Sequence, residues 1–395
     1  MKPVVDPAAS VSLWLAAVMA MAVLCLQVVP VLAPTIAAEA ALPPTFVGAY
    51  GGGLWAAALI STAAAPALLA RFSGWSLAQA CLWLCVAGVL AATSGHPAGL
   101  LLAALLIGLG HGLEGPVASH LLAASVPVPR RPLWFSIKQA GVQLGAVGAS
   151  LSLPLVAVQL GWRAAAGWAA GATAVLALLL LWPRRAHPVP RTEAGSGNPL
   201  AALAALQRMP VLRWLAVAAA AFGAVQICLN SFFVSFAVHE RGATLVAAGA
   251  WLAAAQTGGL VGRVFWGWRG NRMPSVMPLL LALGAGMSLC AALLGGFGTR
   301  LPEPLLWPLL VAFGLTASGW NGIFLAEVAR QVPTAEAGTA TAAVMLVMTL
   351  GLVAGPLLFS ALAAWLSMAG TFVVWGALGT LGVVALLQAR SARRD

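Results

Sequence analysis

Twelve strongly apolar stretches fill most of this 395-residue chain, and only short loops separate most of them. Each stretch is close to the roughly 20 residues that an α-helix needs to cross the hydrocarbon core of a bilayer. Backbone polar groups find no water inside lipid, so these stretches are predicted to be helices. Predicted helices 1 to 12 cover residues 11–33, 45–69, 76–94, 98–124, 133–158, 162–182, 211–238, 244–266, 274–297, 303–328, 337–362 and 368–388.

The composition is that of a membrane protein. The chain is 62% hydrophobic and 7% charged, with a mean hydropathy of +0.97, which is more apolar surface than a soluble core needs. The sequence has no G-x-x-x-x-G-K loop, so direct use of ATP is not expected. It also has no nucleophile, base and orienting group in a soluble domain, so we do not expect an enzyme.

The basic residues indicate the topology. If both termini are cytoplasmic, 16 lysines and arginines fall on the cytoplasmic side, and three, Arg163, Arg241 and Arg300, fall outside. Cytoplasmic loops carry the excess of Lys and Arg, so this bias predicts an even helix count with both termini inside. We therefore expect a multi-pass protein of the cell inner (plasma) membrane. All five cysteines lie within predicted helices, which argues against a disulfide framework.

The longest polar stretch divides the chain in two. Residues 183–210 are rich in Pro, Gly and Arg, a composition typical of a linker. The predicted domains are therefore an N-terminal six-helix bundle over 1–182, a cytoplasmic linker over 183–210, and a C-terminal six-helix bundle over 211–395.

The two halves also look related. Glu39 ends predicted helix 1 and Glu240 ends predicted helix 7, 201 residues later, and the same offset relates Arg71 to Arg272. Several such matches predict two parallel repeats with a substrate path between them near the middle of the membrane. A further match, at an offset of 207, is Gly112-Leu-Glu114-Gly115 with Gly319-Trp-Asn321-Gly322.

With these features the chain resembles the major facilitator superfamily over essentially its whole length. The superfamily motif after helix 2 is Gly, three residues, Asp, Arg. The second half has Gly267-Trp-Arg-Gly-Asn271-Arg272, with Asn in place of Asp, whereas the first half keeps only Arg71. The resemblance implies an all-α membrane protein whose twelve transmembrane helices form two pseudo-symmetric six-helix bundles. It also implies a secondary transporter with gating loops at Arg71, Asn271 and Arg272.

Two short sequence motifs indicate a subgroup within the superfamily. Ser136-Ile-Lys138-Gln139 and Gly319-Trp320-Asn321-Gly322 resemble a bacterial subgroup of the superfamily. The region of helices 4 and 5 is loosely similar to cyanate-transporter-like members.

Charged side chains inside membrane helices are costly, so they are candidates for function. Lys138 lies in predicted helix 5, roughly 8 Å from its cytoplasmic start at 1.5 Å per residue. It could extend its ammonium group to the interface, or face inward and bind an anionic substrate. Gln139 and Gln143 follow it, four residues apart and hence on one face, where they would extend a polar surface.

Arg263 is the second candidate cation, in predicted helix 8, four residues before Gly267. Its position is similar to that of the helix 8 arginine of monocarboxylate transporters, which implies contact with a substrate carboxylate. Those proteins place an acid one turn earlier, where this chain has Gly259. A guanidinium offers a planar fork for a carboxylate. Alternatively, Arg263 is structural and pairs with Glu327, Asn271 or lipid head groups.

Glu114 and His111 lie three residues apart in predicted helix 4, among glycines that allow close helix contact. Both side chains can carry a proton, so they are candidates for proton coupling. The alternative is an ion pair between Glu114 and Lys138 that holds helices 4 and 5 together. We expect no metal site here, because two ligands are too few.

Polar side chains in other predicted helices complete the candidate substrate site. They can hydrogen-bond a substrate, or equally bind neighbouring helices to each other. The candidates are Gln27 in helix 1, Gln226 and Asn230 in helix 7, and Trp320 and Asn321 in helix 10, with Gln256 in helix 8 as a weaker one.

These residues together predict a secondary transporter for a small organic anion, in particular a carboxylate, with protons as a candidate coupling ion. One alternative is a proton-driven exporter of drug-like or metabolite compounds that uses Glu114. Another is a non-transporting membrane sensor or scaffold, which the internal repeat argues against. We expect a monomer in a lipid bilayer, with a small-molecule substrate and neither cofactor nor nucleic acid.

Overall fold

A computed structural model describes residues 7–127, 130–187, 189, 204, 206–333 and 336–392. All regular secondary structure in these ranges is helical. The linker predicted over 183–210 lies largely outside them. The first nine membrane helices are α1 Pro7–Ala40, α2 Val47–Arg71, α3 Gly74–Ala92, α4 Pro97–Ser125, α5 Arg131–Leu160, α6 Trp162–Leu179, α7 Pro210–His239, α8 Leu245–Gly270 and α9 Met277–Phe297.

The tenth membrane helix, α10, is broken in the middle. It consists of Glu303–Ala317 and Asn321–Arg330, and residues 318–320 between them are not helical. The prediction of one continuous helix over 303–328 is therefore wrong at these three residues. The two outer ends of α10, Glu303 and Arg330, agree with the predicted span of 303–328 to within two residues.

The last helical segment, Ala337–Ser391, contains 55 residues, more than twice the length needed to cross a bilayer. Ser367 interrupts it with a φ of 67° and a ψ of 167°. The segment therefore comprises two membrane helices, α11 over 337–366 and α12 over 368–391. With this division the eleven apolar helical segments give twelve spans, which confirms the all-α, twelve-helix prediction.

The chain forms two compact units. The first contains the described residues within Met1–Leu42 and Gly53–Gly197, and the second those within Pro43–Gly52 and Asn198–Asp395. The short segment 43–52 thus packs with the second unit, although the sequence division places it in the first half. One contact that holds it there is a hydrogen bond from the Ser360 hydroxyl to the carbonyl oxygen of Thr45.

The same helix pairs are closely packed in both units. Glycines four residues apart let the backbone of one helix approach that of its neighbour, and a methyl group at these positions would collide with it. The close contact between α1 and α5 in the first unit corresponds to that between α7 and α11 in the second. The contact between α2 and α4 corresponds in the same way to that between α8 and α10. Two related repeats are expected to share such contacts. The contacts are Gly141 on Ala16, Gly145 on Ala20, Gly351 on Ala220, Gly355 on Ala224, Gly108 on Leu54, Gly112 on Ala58, Gly258 on Val311 and Gly262 on Leu315.

The two glutamates that first suggested the repeat occupy corresponding places. Glu39, at the end of α1, accepts a hydrogen bond from the Trp162 indole at 2.7 Å and pairs with Arg163, both at the start of α6. Glu240, at the end of α7, accepts the first two backbone N–H groups of α12 at 2.5 and 2.9 Å. A carboxylate at a helix N-terminus satisfies N–H groups that have no partner within the helix.

Candidate functional site

In the first unit, Lys138 and Glu114 form a buried ion pair. The Lys138 Nζ atom lies 3.2 Å from Oε1 and 3.4 Å from Oε2 of Glu114. The two residues are only 4% and 2% exposed, so Lys138 does not extend to the interface. Of the alternatives open from the sequence, the structure therefore contains the pair that joins α4 to α5.

Helix α4 contains a proline close to Glu114. Pro116 has no N–H, so it cannot donate the usual helical hydrogen bond to the carbonyl oxygen of Gly112. The Thr62 hydroxyl of α2 donates to that oxygen instead, at 2.7 Å. Inside a membrane, a carbonyl freed by proline needs such a partner. Thr62 was not among the predicted residues. Pro116 in the sequence did show that the carbonyl oxygen of Gly112 would lack its helical hydrogen-bond donor.

His111 lies one turn from Glu114 and contacts Trp55 edge to face, with ring centroids 5.5 Å apart. Its Nδ1 atom is buried without a hydrogen-bond partner among the described residues. Gln143 is buried, whereas Gln139 is exposed. The role of Gln139 in binding a substrate stays a prediction.

Gln27 is the least satisfied of the predicted polar residues. It is 2% exposed on α1, and neither its Nε2 nor its Oε1 atom has a hydrogen-bond partner in the described structure. Three residues later, Pro30 removes the N–H that would pair with the Leu26 carbonyl oxygen. A buried amide without partners costs free energy, so this part of α1 is suited to a polar ligand or to water.

In the second unit, the break in α10 is stabilised by side chains. Carbonyl oxygens freed by the break accept hydrogen bonds from Trp266 Nε1 at 3.0 Å, Trp320 Nε1 at 3.0 Å and Asn321 Nδ2 at 3.3 Å. Gly319 fits here because a Cβ atom would lie 2.6 Å from the Trp266 ring. Non-helical backbone inside a membrane is tolerated only where protein groups or a water-filled cavity provide hydrogen-bond partners for its N–H and C=O groups. Transporters of known architecture often bind substrate at such discontinuous helices.

A polar cluster surrounds this break. Asn321 donates to Gln226 Oε1 at 3.2 Å, and Gln226 Nε2 lies 3.5 Å from the hydroxyl oxygen of Ser318. One turn along α7 from Gln226, Asn230 accepts a hydrogen bond from Gln256 at 2.9 Å. Ser318 was missed from the sequence, although the Ser318-Gly319 dipeptide is a turn signal that could have revealed it.

Trp320, predicted as a substrate contact, lies in the apolar core. It is 1% exposed and packs against Phe222 and Phe324 with centroid distances of 5.5 and 5.1 Å. Its indole N–H is already used at the break. The structure thus gives Trp320 a structural contact, and we do not carry it forward as a ligand residue.

Arg263 lies on α8, seven residues before the helix ends, or about 10 Å along the axis. It is partly exposed, and its Nε atom is buried without a hydrogen-bond partner. The predicted structural partner Glu327 instead accepts a hydrogen bond from Gln331 at 2.5 Å and lies 4.0 Å from Arg330. No described acidic side chain forms an ion pair with Arg263.

The predicted gating residues lie at helix ends. Arg71, Asn271 and Arg272 are all exposed. The Arg272 guanidinium lies over the Trp268 ring, 3.9 Å from its centroid, and makes a cation–π contact.

Comparison with known proteins agrees with this architecture. The sequence profile of the Major Facilitator Superfamily matches residues 13–353. A segment of 89 residues, 22% of this chain, is 33% identical to probable anion transporter 5, chloroplastic, of Oryza sativa subsp. japonica. The match spans 17% of that protein's length.

Solved structures share the fold at low sequence identity. A bacterial homolog of the human lysosomal transporter Spinster, in an inward-facing and occupied conformation, has a TM-score of 0.75 at 16% identity, over 99% of this chain and 97% of that one. The nucleoside transporter NupG has a TM-score of 0.78 at 14% identity, over 96% and 99%. Since the family profile covers well over half of the sequence, the chain belongs to the Major Facilitator Superfamily, and its apolar helices make it a multi-pass membrane protein.

Proposed function

We propose that this protein is a secondary active transporter that moves a small organic anion, a carboxylate, across the cell inner membrane by alternating access. The observation that carries the proposal is the guanidinium of Arg263, which lies within a membrane helix and has no acidic partner among the described residues. A cation left unpaired at this depth is costly unless a ligand neutralises it. The planar guanidinium fits a carboxylate through two parallel N–H groups.

Lys138 does not offer the same chemistry. Its charge is already cancelled by Glu114 at 3.2 Å, so an anion would have to displace a buried carboxylate to reach it. Arg263 is therefore the better anion site of the two predicted cations.

Helix packing supports placing the polar cluster of α10 near Arg263. Gly262, the residue before Arg263, lies against Leu315, and Gly319 lies against Gly262. The break in α10 is thus at the depth of Arg263 in the same unit. We propose that Gln226 and Asn321 hydrogen-bond the polar part of the anion, with Asn230 one turn further along α7. The anion transporter named among the relatives is consistent with this substrate class.

The test is counterflow in proteoliposomes, using radiolabelled lactate, benzoate and malonate with a cationic dye for comparison. Loss of one charge-assisted hydrogen bond of roughly 1.5–3 kcal/mol should weaken the anion site of Arg263→Gln about 10–100-fold. Arg263→Lys keeps the charge but loses the fork, so its affinity should be intermediate. Arg269→Gln, an exposed arginine on the same helix, is the matched control. Normal anion affinity in Arg263→Gln, or transport of the dye alone, would overturn the proposal.

A second candidate is proton-driven export of a drug-like or metabolite compound, in which Glu114 carries the proton. It is favoured by the burial of Glu114 and by the unpartnered Nδ1 of His111 one turn away. Glu114→Gln mimics the protonated side chain, so the part of the variant that is folded, measured in detergent, should retain solute exchange and lose accumulation driven by a pH gradient. Undiminished accumulation would exclude Glu114 as the proton carrier.

A further inference from the structure

The hydrogen bonds of Asn230 fix the orientation of its side-chain amide. A primary amide has an acceptor end, its oxygen, and a donor end, its NH₂ group. Gln256 is 2% exposed and donates from Nε2 to Asn230 Oδ1 at 2.9 Å, so the acceptor end of Asn230 is already used. Asn230 is partly exposed, and its Nδ2 atom forms no hydrogen bond with the described residues. Asn230 therefore offers a donor to a ligand.

Asn321 offers the opposite end of its amide. Its Nδ2 atom donates to Gln226 Oε1 at 3.2 Å and to the Ser318 carbonyl oxygen at 3.3 Å. Its Oδ1 atom accepts no hydrogen bond from the residues that the structure describes, and Asn321 too is partly exposed. Gln226 and Asn230 are four residues apart on one face of α7. The amide of Asn321, bound to Gln226, thus lies within about one helical turn of the Asn230 amide.

A donor and an acceptor in such proximity match a hydroxyl group, which accepts one hydrogen bond and donates another. We infer, on the basis of the proposed function, that the substrate is a hydroxycarboxylate. Its carboxylate binds Arg263, and its hydroxyl group accepts from Asn230 Nδ2 and donates to Asn321 Oδ1. Gln256 is a positioning residue in this arrangement, because it determines which end of the Asn230 amide faces the substrate.

The geometry of α8 allows one small molecule to reach both groups. Gln256 and Arg263 are seven residues apart, which is about two turns, so they share a face about 10 Å apart along the axis. Helical side chains lean towards the N-terminus, so the side chain of Arg263 leans towards Gln256. Residue 259, between them on this face, is a glycine and has no side chain.

The experiment measures, by titration calorimetry on the purified protein in detergent, the Kd of butyrate and of 2-, 3- and 4-hydroxybutyrate. Butyrate reports the carboxylate site alone, and the three isomers vary the distance from carboxylate to hydroxyl. We expect one isomer to bind about tenfold more tightly than butyrate, which corresponds to about 1.4 kcal/mol. The amino acid with its ammonium group at the same carbon should bind no better than butyrate, because an ammonium only donates and Asn230 has no acceptor to offer.

Two variants test the assigned roles. Asn230→Ala removes the donor and should reduce the ratio of the butyrate Kd to the hydroxybutyrate Kd from about ten to about one. Gln256→Leu keeps the Asn230 amide but no longer orients it, so the ratio should be intermediate, about three. Thr257→Val is the matched control, since the exposed Thr257 hydroxyl bonds only within its own helix, to the Ala253 carbonyl oxygen at 2.8 Å. It should retain the wild-type ratio.

The outcomes separate this inference from the proposed function. Equal wild-type Kd values for butyrate and all three hydroxybutyrates would overturn the hydroxyl subsite and leave the anion proposal standing. A wild-type ratio in either Asn230→Ala or Gln256→Leu would overturn the roles given to these two amides. Absence of binding of every carboxylate would overturn the proposed function, and the hydroxycarboxylate inference with it.

Discussion

At the scale of single residues, the membrane helices hold their charges in two different ways. The ammonium group of Lys138 lies against a buried carboxylate, whereas Arg263 has no acidic partner among the described side chains. A buried ion pair contributes little net stability compared with apolar residues of the same size, but removing one partner exposes the full cost of the other. The pair and the single arginine therefore respond differently to substitution.

Replacing Glu114 alone should destabilise the protein strongly. Glu114→Gln leaves the Lys138 ammonium buried without its counter-charge, and we expect the free energy of unfolding to fall by about 3–5 kcal/mol. The double variant Glu114→Gln with Lys138→Gln removes both charges and should recover most of that loss. Thermal unfolding in detergent measures both, with exposed Gln139→Ala as the control. A double variant as unstable as the sum of its two single variants would show that the pair is not coupled.

At the scale of helices, the irregular positions are those where a backbone group loses its partner. Pro116 in α4 and the break in α10 both free carbonyl oxygens, and in both places a side chain from the same unit donates to them. Packing also requires glycines four residues apart on α4, α5, α8 and α11. The sequence shows prolines and glycines plainly, but not which neighbour satisfies each one.

The bond from Thr62 to the Gly112 carbonyl should matter only because of Pro116. Thr62→Val should cost about 0.6 kcal/mol, the average measured for hydrogen bonds between membrane helices, and at most about 1.7 kcal/mol. Pro116→Ala restores an N–H that can donate to Gly112, so in that background Thr62→Val should cost almost nothing. The unfolding of the four proteins of this double-mutant cycle tests the coupling. An equal cost in both backgrounds would assign the effect of Thr62 to packing.

The two junctions that start α6 and α12 share an unusual backbone conformation. Gly161 has φ 87° and ψ 157°, and Ser367 has φ 67° and ψ 167°, a region almost restricted to glycine. Ser367→Gly relieves strain of order 1–3 kcal/mol and loses a cap to the Gly370 N–H, worth a few tenths. We expect a net gain of about 1 kcal/mol in unfolding free energy. Gly161→Ala should destabilise by about 1–3 kcal/mol, and a destabilised Ser367→Gly would contradict this account.

At the scale of the whole molecule, the 16-to-3 distribution of basic residues predicts which side each loop faces. All five cysteines are free and buried, so the folded wild type should react little with a membrane-impermeant maleimide. Arg300→Cys should be labelled from outside intact cells, and Arg185→Cys only after permeabilisation. Labelling of Arg185→Cys in intact cells would reverse the proposed topology.

Much of the candidate site was visible in the sequence as a set of residue types. Lys138, Arg263 and Glu114 stood out because charge is rare and costly in apolar helices. The sequence left open whether Lys138 pairs with Glu114 or reaches the interface, because that depends on the rotation of α4 and α5 about their axes. Ser318 and Thr62 were missed because hydroxyl groups are common in helices and gain a role only beside a broken hydrogen bond.

The sequence by itself determined the solvent, the helical class and the number of spans. In lipid each helix satisfies its own backbone, so an apolar length is a local signal that needs no knowledge of its neighbours. The tertiary structure decided that Glu114 neutralises Lys138, that α10 breaks at residues 318–320, and that Arg263 has no acidic partner among the residues that the structure describes. These are contacts between helices, and they depend on packing at glycine faces to within an ångström, which local hydropathy does not encode.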